Sequence, residues 1–334
     1  MRRILLLTLP ITAVALALTA CSTTAGELPR SSATATAAPS AAASPAPTAT
    51  CNPKGAERSF APLNPMPAPG TVPSDPFMQK IKSRGRLIAG VSADTWKLGA
   101  RNPLNGQIEG FDIDMVRAVA QAIFNERNPQ DLDKRIEFRV ITAAQRIPSL
   151  QNGAVDIVAR AMTVNCGRWQ QINFSTVYYV AGQKVLVASD PTDPTKVTGM
   201  DDLSGKKVCA PKGTTTLDQM KREYPKVVPV VVDLHTDCLA LFQEGRVEAI
   251  TGDDTILAGF AAQDPYAKVV GARFSSEPYG LGIAQKNVKF TQFVNGVLAQ
   301  IRSDGAWQAS YDHWLRPALG PSTPPAAQYG RPLP

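Results

Sequence analysis

What this chain lacks narrows its chemistry before any motif is considered. It has only two histidines and no Cys-x-x-Cys pair, so a structural zinc site has little to be built from. No nucleophile, histidine and acid stand together as a catalytic set, and no phosphate loop with a Gly-Lys-Ser/Thr ending is present. Lysine and arginine exceed the acids, giving a formal net charge of +7, but they are scattered. No basic run is interleaved with aromatics, which argues against a nucleic-acid partner. Beyond residue 20 no apolar stretch is long enough to span a bilayer, and no segment repeats.

What is present begins at the N-terminus. Arg2 and Arg3 precede an apolar run from Ile4 to Leu18, so residues 1–20 read as an export signal. Leu18-Thr19-Ala20-Cys21 resembles a bacterial lipobox, and the resemblance implies cleavage before Cys21 and acylation of its thiol and amine, with palmitate as a candidate chain. Several acyl chains hold a protein far more durably than one. The mature chain is then expected on the extracytoplasmic face of the cell membrane, anchored by lipid; an ordinary secretory signal with an incidental Cys21 is the other reading. Residues 21–75 are rich in Ala, Ser, Thr and Pro and read as a flexible tether that cannot offset its ordering entropy by burial. Residues 319–334 read as a Pro-rich tail, which leaves a folded part of about 76–318, a length suited to two modest lobes.

With Cys21 set aside, four cysteines remain in an exported chain: Cys51, Cys166, Cys209 and Cys238. An even number there suggests disulfides, and three pairings are possible. Cys209 ends an apolar run and Cys238 opens a helical one. The favoured set is Cys209–Cys238 within one lobe, leaving Cys51–Cys166 to staple the tether to the other.

The folded part alternates apolar runs with helical periodicity. Arg86–Val91, Ile136–Ile141 and Val155–Ala159 read as buried strands, with helices starting near Gly110 and Arg146 between them. A second set of strands and helices follows from Gln183 to Leu257, and Tyr279–Ile283 reads as a strand crossing back before a long helix over Val288–Arg302. This is an α/β pattern of parallel sheets. It predicts lobe 1 from 76–178 plus 276–318 and lobe 2 from 179–275, joined by crossings near 175–183 and 272–280. The cleft between them would be lined by strand C-terminal ends and helix N-termini.

One stretch carries the most specific signal. It runs Arg146-Ile147-Pro148-Ser149-Leu150-Gln151-Asn152-Gly153, then Asp156-Ile157-Val158, Met162-Thr163, Arg168 and Asn173-Phe174-Ser175. A small hydroxyl and an arginine a few residues apart suit a carboxylate, because the planar guanidinium binds two oxygens at once. The order resembles the extracytoplasmic solute-binding proteins of polar amino acid ABC importers, in particular the glutamate/aspartate binders, over about residues 80–316. The resemblance implies a two-lobed periplasmic-binding-protein-like fold of type II. It implies Arg168 for a ligand α-carboxylate, helped by the Thr163 hydroxyl and amide, with the Ala161 carbonyl and the Asp253 carboxylate for the α-ammonium. Asp254 competes with Asp253, since two acids at a helix start also serve as caps. Thr214, in Lys212-Gly213-Thr214, opens a helix and suits an anion. Arg146 and His235 match residues that face the ligand's side chain, and Trp96 an aromatic over its aliphatic stem; ordinary packing is the other reading of Trp96. Ser92-Ala93-Asp94 stands where those binders carry another arginine and Ala143 where they carry a serine, so glutamine or asparagine is also admitted. Cys166 replaces an acid of many relatives.

The function so implied is capture of acidic or amidic amino acids, with an ABC permease as partner, no cofactor and a monomeric state. An amino acid sensor that signals occupancy to a membrane protein would use the same cleft. An enzyme on this fold, a dehydratase or cell-wall lyase, needs an unpaired acid or base there. His235 is the only candidate base, because His313 sits in an amphipathic helix with Trp307, Tyr311 and Trp314.

Overall fold

A computed structural model describes residues 55–189 and 197–334. The signal, Cys21, Cys51 and most of the tether lie outside the described residues. Helix α1 (Pro76–Arg84) opens the first lobe. The Asp75 carboxylate accepts from the Phe77 and Met78 amides, and Gly85 ends the helix in the left-handed conformation. Strand β1 (Leu87–Val91) is buried throughout because it lies inside a sheet. A small antiparallel sheet follows, made of β2 (Asp94–Thr95), β3 (Gly99–Arg101) and β4 (Ile108–Glu109). Helix α2 (Phe111–Phe124) buries Met115, Val116, Val119 and Ile123 at helical spacing. Then come α3 (Pro129–Lys134), β5 (Ile136–Val140), α4 (Arg146–Gln151), β6 (Ile157–Ala159), α5 (Cys166–Trp169) and β7 (Ile172–Phe174).

The chain leaves the first lobe through β8 (Tyr179–Ala181) and builds the second from β9 (Gln183–Ala188), β10 (Lys207–Pro211), α6 (Thr215–Glu223), β11 (Val228–Val232), α7 (His235–Gln243), β12 (Ala249–Asp253), α8 (Asp254–Gln263) and β13 (Ala267–Val270). It returns through β14 (Glu277–Tyr279), antiparallel to β8, and β15 (Gly282–Ala284). Helices α9 (Val288–Ser303), α10 (Ala306–Trp314) and α11 (Arg316–Leu319) complete the first lobe.

Two five-stranded sheets result, ordered β5-β1-β6-β15-β7 and β11-β10-β12-β9-β13. In the first, β1 runs parallel to β5 and β6, while the returning β15 is antiparallel to both β6 and β7. In the second, β10 runs parallel to β11 and β12, and β9 is antiparallel to β12 and β13. Parallel neighbours need a crossover, and the helices supply it. Because β15 inserts between β6 and β7, the late segment is structurally integral to the first lobe. The paired strands β8 and β14 fall within the two crossings expected from the sequence.

The expected tether and tail boundaries need correction. Residues 55–75 pack on the first lobe and do not continue the tether. The Ser59 hydroxyl donates to the Phe174 carbonyl at 2.7 Å, Asn295 Nδ2 donates to Ser59 Oγ and the Phe60 carbonyl, and Trp169 Nε1 donates to the Ala56 carbonyl. Phe60 is buried, and Leu63, Met66 and Val72 pack against the core. A composition average hides such widely spaced apolar anchors. The tail also packs back. Tyr329 bridges Ser59 in parallel fashion, and the Arg331 guanidinium lies 3.6 Å from the centroid of the Trp169 ring.

In the second lobe Cys209 of β10 and Cys238 of α7 form a disulfide, Cα atoms 5.5 Å apart and 29 residues apart in sequence. Cys166 is disulfide-bonded; the expected partner Cys51 lies outside the described residues. Closing a loop of this length removes entropy from the unfolded chain, so replacing Cys209 and Cys238 together by serine is expected to cost about 3–4 kcal/mol. The urea midpoint of the oxidised double variant checks this; an unchanged midpoint refutes it.

Candidate functional site

The C-terminal ends of β6, β10 and β12 and the starts of α4, α6 and α7 face one another between the two sheets. Side chains from both lobes enclose a small cavity lined by Arg146, Ala161, Thr163, Thr214, Thr215, Thr216, His235, Asp253 and Ile256. The space left among them is about 10 Å³, roughly the room of one water. Anything larger needs the lobes to part. A groove of about 850 Å³ lies on the outer face between α2, α9 and α10, but its Asp114 and Arg117 are already paired with each other. Chemistry, and not size, places the site.

Arg146, the first residue of α4, turns its side chain inward. Nε donates to the Ala143 carbonyl at 2.9 Å, Nη1 to the Arg160 and Ala161 carbonyls at 3.0 Å each, and Nη2 to the Gly213 carbonyl of the second lobe at 2.9 Å. Burial and the nearby Arg168 and Arg160 cations push its pKa down, yet a guanidinium keeps its charge. The Ala161 carbonyl reaches Arg146 because Ala161 adopts φ 41°, a region few non-glycine residues occupy. The Ala161 amide donates to Asp112 at 2.7 Å, which holds this turn.

Arg168 of α5 sits beside the cavity and does not line it. Nη1 donates to the Thr163 carbonyl at 2.7 Å and Nη2 to the Gly213 carbonyl at 3.3 Å. Gly213 therefore accepts from both arginines. Its φ is 77°, and an added Cβ would stand 2.7 Å from the Ala144 Cα, so only glycine brings the lobes this close here.

The threonines divide their work. Thr214 Oγ1 accepts from the Leu217 amide and donates to the Pro211 carbonyl, so it caps α6 as well as lining the cavity. Thr163 and Thr215 each donate to Glu277 Oε2 at 2.6 Å, and Ser275 donates to Oε1. Glu277, buried in β14, was not among the residues the sequence singled out; its one signal is an acid directly before the strand residues Pro278-Tyr279.

The two adjacent acids separate cleanly. Asp254 pairs with Arg273. Asp253 lines the cavity, where Oδ2 accepts from the Tyr279 hydroxyl at 2.6 Å and Oδ1 is buried without a hydrogen-bond partner. Burial, then repulsion from Glu277, push the Asp253 pKa up to about 8.

At the other end stands His235. Its amide is capped at 3.1 Å by Asp94 of the first lobe, which also accepts from the Thr236 amide and hydroxyl. His235 Nδ1 is buried without a partner, and burial together with the Arg160 cation lowers its pKa to about 3, leaving a neutral ring. Trp96 does not line the cavity. Its carbonyl and Cβ lie against Gly259 of α8, where a Cβ would come within 2.9 Å of the carbonyl oxygen. It packs lobe against lobe instead.

This geometry can be set beside known proteins. The pattern of the bacterial extracellular solute-binding proteins, family 3, matches residues 87–317. The ABC transporter glutamine-binding protein GlnH of Bacillus subtilis (strain 168) is 31% identical over 237 residues, 71% of this chain and 83% of that protein. The glutamate-binding protein GluB of Corynebacterium efficiens is 32% identical over 67% of this chain and 76% of its own. Among solved structures, an ancestral arginine-binding protein bound to glutamine superposes with a TM-score of 0.62 at 30% identity, over 71% of this chain and 99% of that one.

The raised Asp253 pKa has a consequence for stability. Between about pH 4 and pH 8 the folded protein keeps a proton that the unfolded chain releases, so this group lowers stability as pH rises through that window. Asp253→Asn removes the effect. Its unfolding free energy from urea titration, relative to the unsubstituted protein, should rise steadily from pH 4 to pH 8, by an amount on the order of a few kcal/mol. A pH-independent difference would contradict the burial of an uncompensated carboxyl.

Proposed function

The chain belongs to family 3 of the bacterial extracellular solute-binding proteins, and we propose that it captures acidic or amidic amino acids, glutamate and aspartate with glutamine and asparagine also admitted, for delivery to an ABC importer. The observation that carries this reading is the polarity of the cleft. Cations gather at Arg146 and Arg168, and an acid with an unsatisfied oxygen, Asp253, stands across from them. An amino acid brings the matching groups: a carboxylate for Arg168 and the Thr163 hydroxyl, an ammonium for Asp253 and the Ala161 carbonyl, and a polar side chain for the end of the cleft where His235 stands. Thr163 and Thr215 exchange Glu277 for the ligand carboxylate when the lobes part. The glutamine- and glutamate-binding relatives support this polarity.

The working form is a monomer held at the membrane by an acylated Cys21. A second reading, a sensor reporting occupancy to a membrane protein, draws support from the packing of residues 56–60 against Trp169, one residue from Arg168.

Calorimetry with the common amino acids tests the main reading. Removing one partner of a buried charged pair costs about 2–5 kcal/mol, so Arg168→Ala should weaken every ligand by at least about tenfold; unchanged binding would refute the site. An ammonium needs Asp253 ionised, so binding at pH 7 should release a proton, read as a dependence of the binding enthalpy on the buffer's ionisation enthalpy, and affinity should rise from pH 6 to pH 8. Equal enthalpies in all buffers would remove Asp253 from the ammonium site.

Closure is tested away from the ligand. Gly259→Ala obstructs the Trp96 contact between lobes while favouring helix α8. It should weaken ligand binding by roughly tenfold, or about 1.4 kcal/mol, with thermal stability without ligand unchanged or raised. Full affinity in this variant would mean that the Trp96–Gly259 approach is not needed for binding.

A further inference from the structure

Arg160 follows β6 directly and is 2% exposed. Its Nε donates to the Ile141 carbonyl at 2.7 Å, but Nη2 has no hydrogen-bond partner. The nearest acid is Asp94, whose Oδ1 is 3.7 Å from Nη2, too far for a hydrogen bond. Asp94 is already committed. Its Oδ1 accepts from Ser92 Oγ at 2.5 Å, and its Oδ2 accepts the donors that begin α7. That helix start carries His235, whose Nδ1 is likewise buried and unpartnered. Two polar atoms without partners therefore flank Asp94, one on a guanidinium and one on a neutral ring; His235 lines the cavity and Arg160 is not part of its lining. Arg146 differs, because four of its five N–H groups donate to backbone carbonyls, one of them from the opposite lobe.

We propose that Arg160, and not Arg146, sets the preference for a side-chain carboxylate, with Nη2 donating to one oxygen of the ligand's side chain and His235 Nδ1 meeting the other. This rests on the amino-acid reading of the cleft and narrows it: acidic side chains bind ahead of their amides. A carboxylate supplies both the missing acceptor and the charge that Asp94 compensates only partly. An amide supplies the acceptor alone, without the opposite charge whose direct attraction to a buried guanidinium water screens little. Arg146 then acts as a clamp between lobes that supports all ligands alike.

Calorimetry of the full folded protein with glutamate, aspartate, glutamine and asparagine tests the assignment. The unsubstituted protein should favour each acid over its amide by at least about tenfold. Arg160→Gln keeps a polar N–H donor, on a shorter side chain, without the charge. It should reduce that ratio to about threefold or less, lowering acid affinity while amide affinity changes little. Arg160→Lys should retain most of the ratio. A ratio unchanged in Arg160→Gln overturns the proposal, and so does an equal loss for acids and amides. A crystal structure of the unsubstituted protein with its preferred acidic amino acid decides the matter even if these variants fail to fold. A side-chain oxygen within about 3.2 Å of Nη2 supports the assignment, and Nη2 without a ligand oxygen overturns it. Failure of the unsubstituted protein to bind any amino acid would instead overturn the amino-acid reading, and the assignment with it.

Discussion

One guanidinium buried between two sheets constrains much of this cleft. Arg146 brings a charge out of water and meets no carboxylate among its hydrogen bonds; backbone carbonyls from both lobes take that role. An isolated buried charge is costly, so those carbonyls must be aimed with care. Two backbone departures do the aiming. Ala161 enters the left-handed region on one side, and Gly213 does so on the other, where any side chain would strike Ala144. The close approach of the lobes and the shape of the cavity follow from the same contact.

Charge is divided across this contact. Arg146, Arg160 and Arg168 raise the potential on one side, while Asp253 and Glu277 oppose each other on the second. Neither group satisfies itself. Burial and the cations of Arg168 and Arg160 loosen the hold of Arg146 on its proton, and Asp253 takes up a proton that its exposed counterpart would shed. Such a site is a poor stabiliser of the fold and a good receiver of a zwitterion, since a ligand with a fixed anion and a fixed cation relieves both ends at once.

The fold was legible because its signals are local. Apolar runs, glycine stops and helical spacing reported β1, α2, β5, α4 and β6 within a few residues, and the strand expected over Tyr279–Ile283 covers the last residue of β14 and the first two of β15. The site was legible where a motif names a residue, as with Arg146, Thr163, His235 and Asp253, all of which line the cavity. It was not legible where two distant segments decide the role. Arg160 and Glu277 read as charged ends of apolar strands until the opposite lobe is in place. Asp94 reads as a loop acid, yet it caps a helix 141 residues away. Thr214 was chosen for its hydroxyl, but the helix it opens uses that hydroxyl, leaving Thr215 to face Glu277. Trp96 was chosen for an aromatic face, whereas the contact that matters is its backbone against Gly259.

The misread ends of the chain bear on how the cleft works. Residues 56–60 and 328–331 are strapped to each other and to Trp169 and Asn295, all on the first lobe. The second lobe meets the first through β8 and β14 and through the cleft contacts of Arg146, Asp94 and Trp96. Any parting of the lobes must break those cleft contacts and bend those two strands, while the straps are left intact. The first lobe is thus the fixed frame and the second the moving one. On the proposed reading of the cleft, Arg168, on the fixed frame beside Trp169, would receive a carboxylate before the second lobe arrives with Asp253 and His235. Binding energy released by that arrival is what favours the closed arrangement, by as much as the ligand prefers it to the open one.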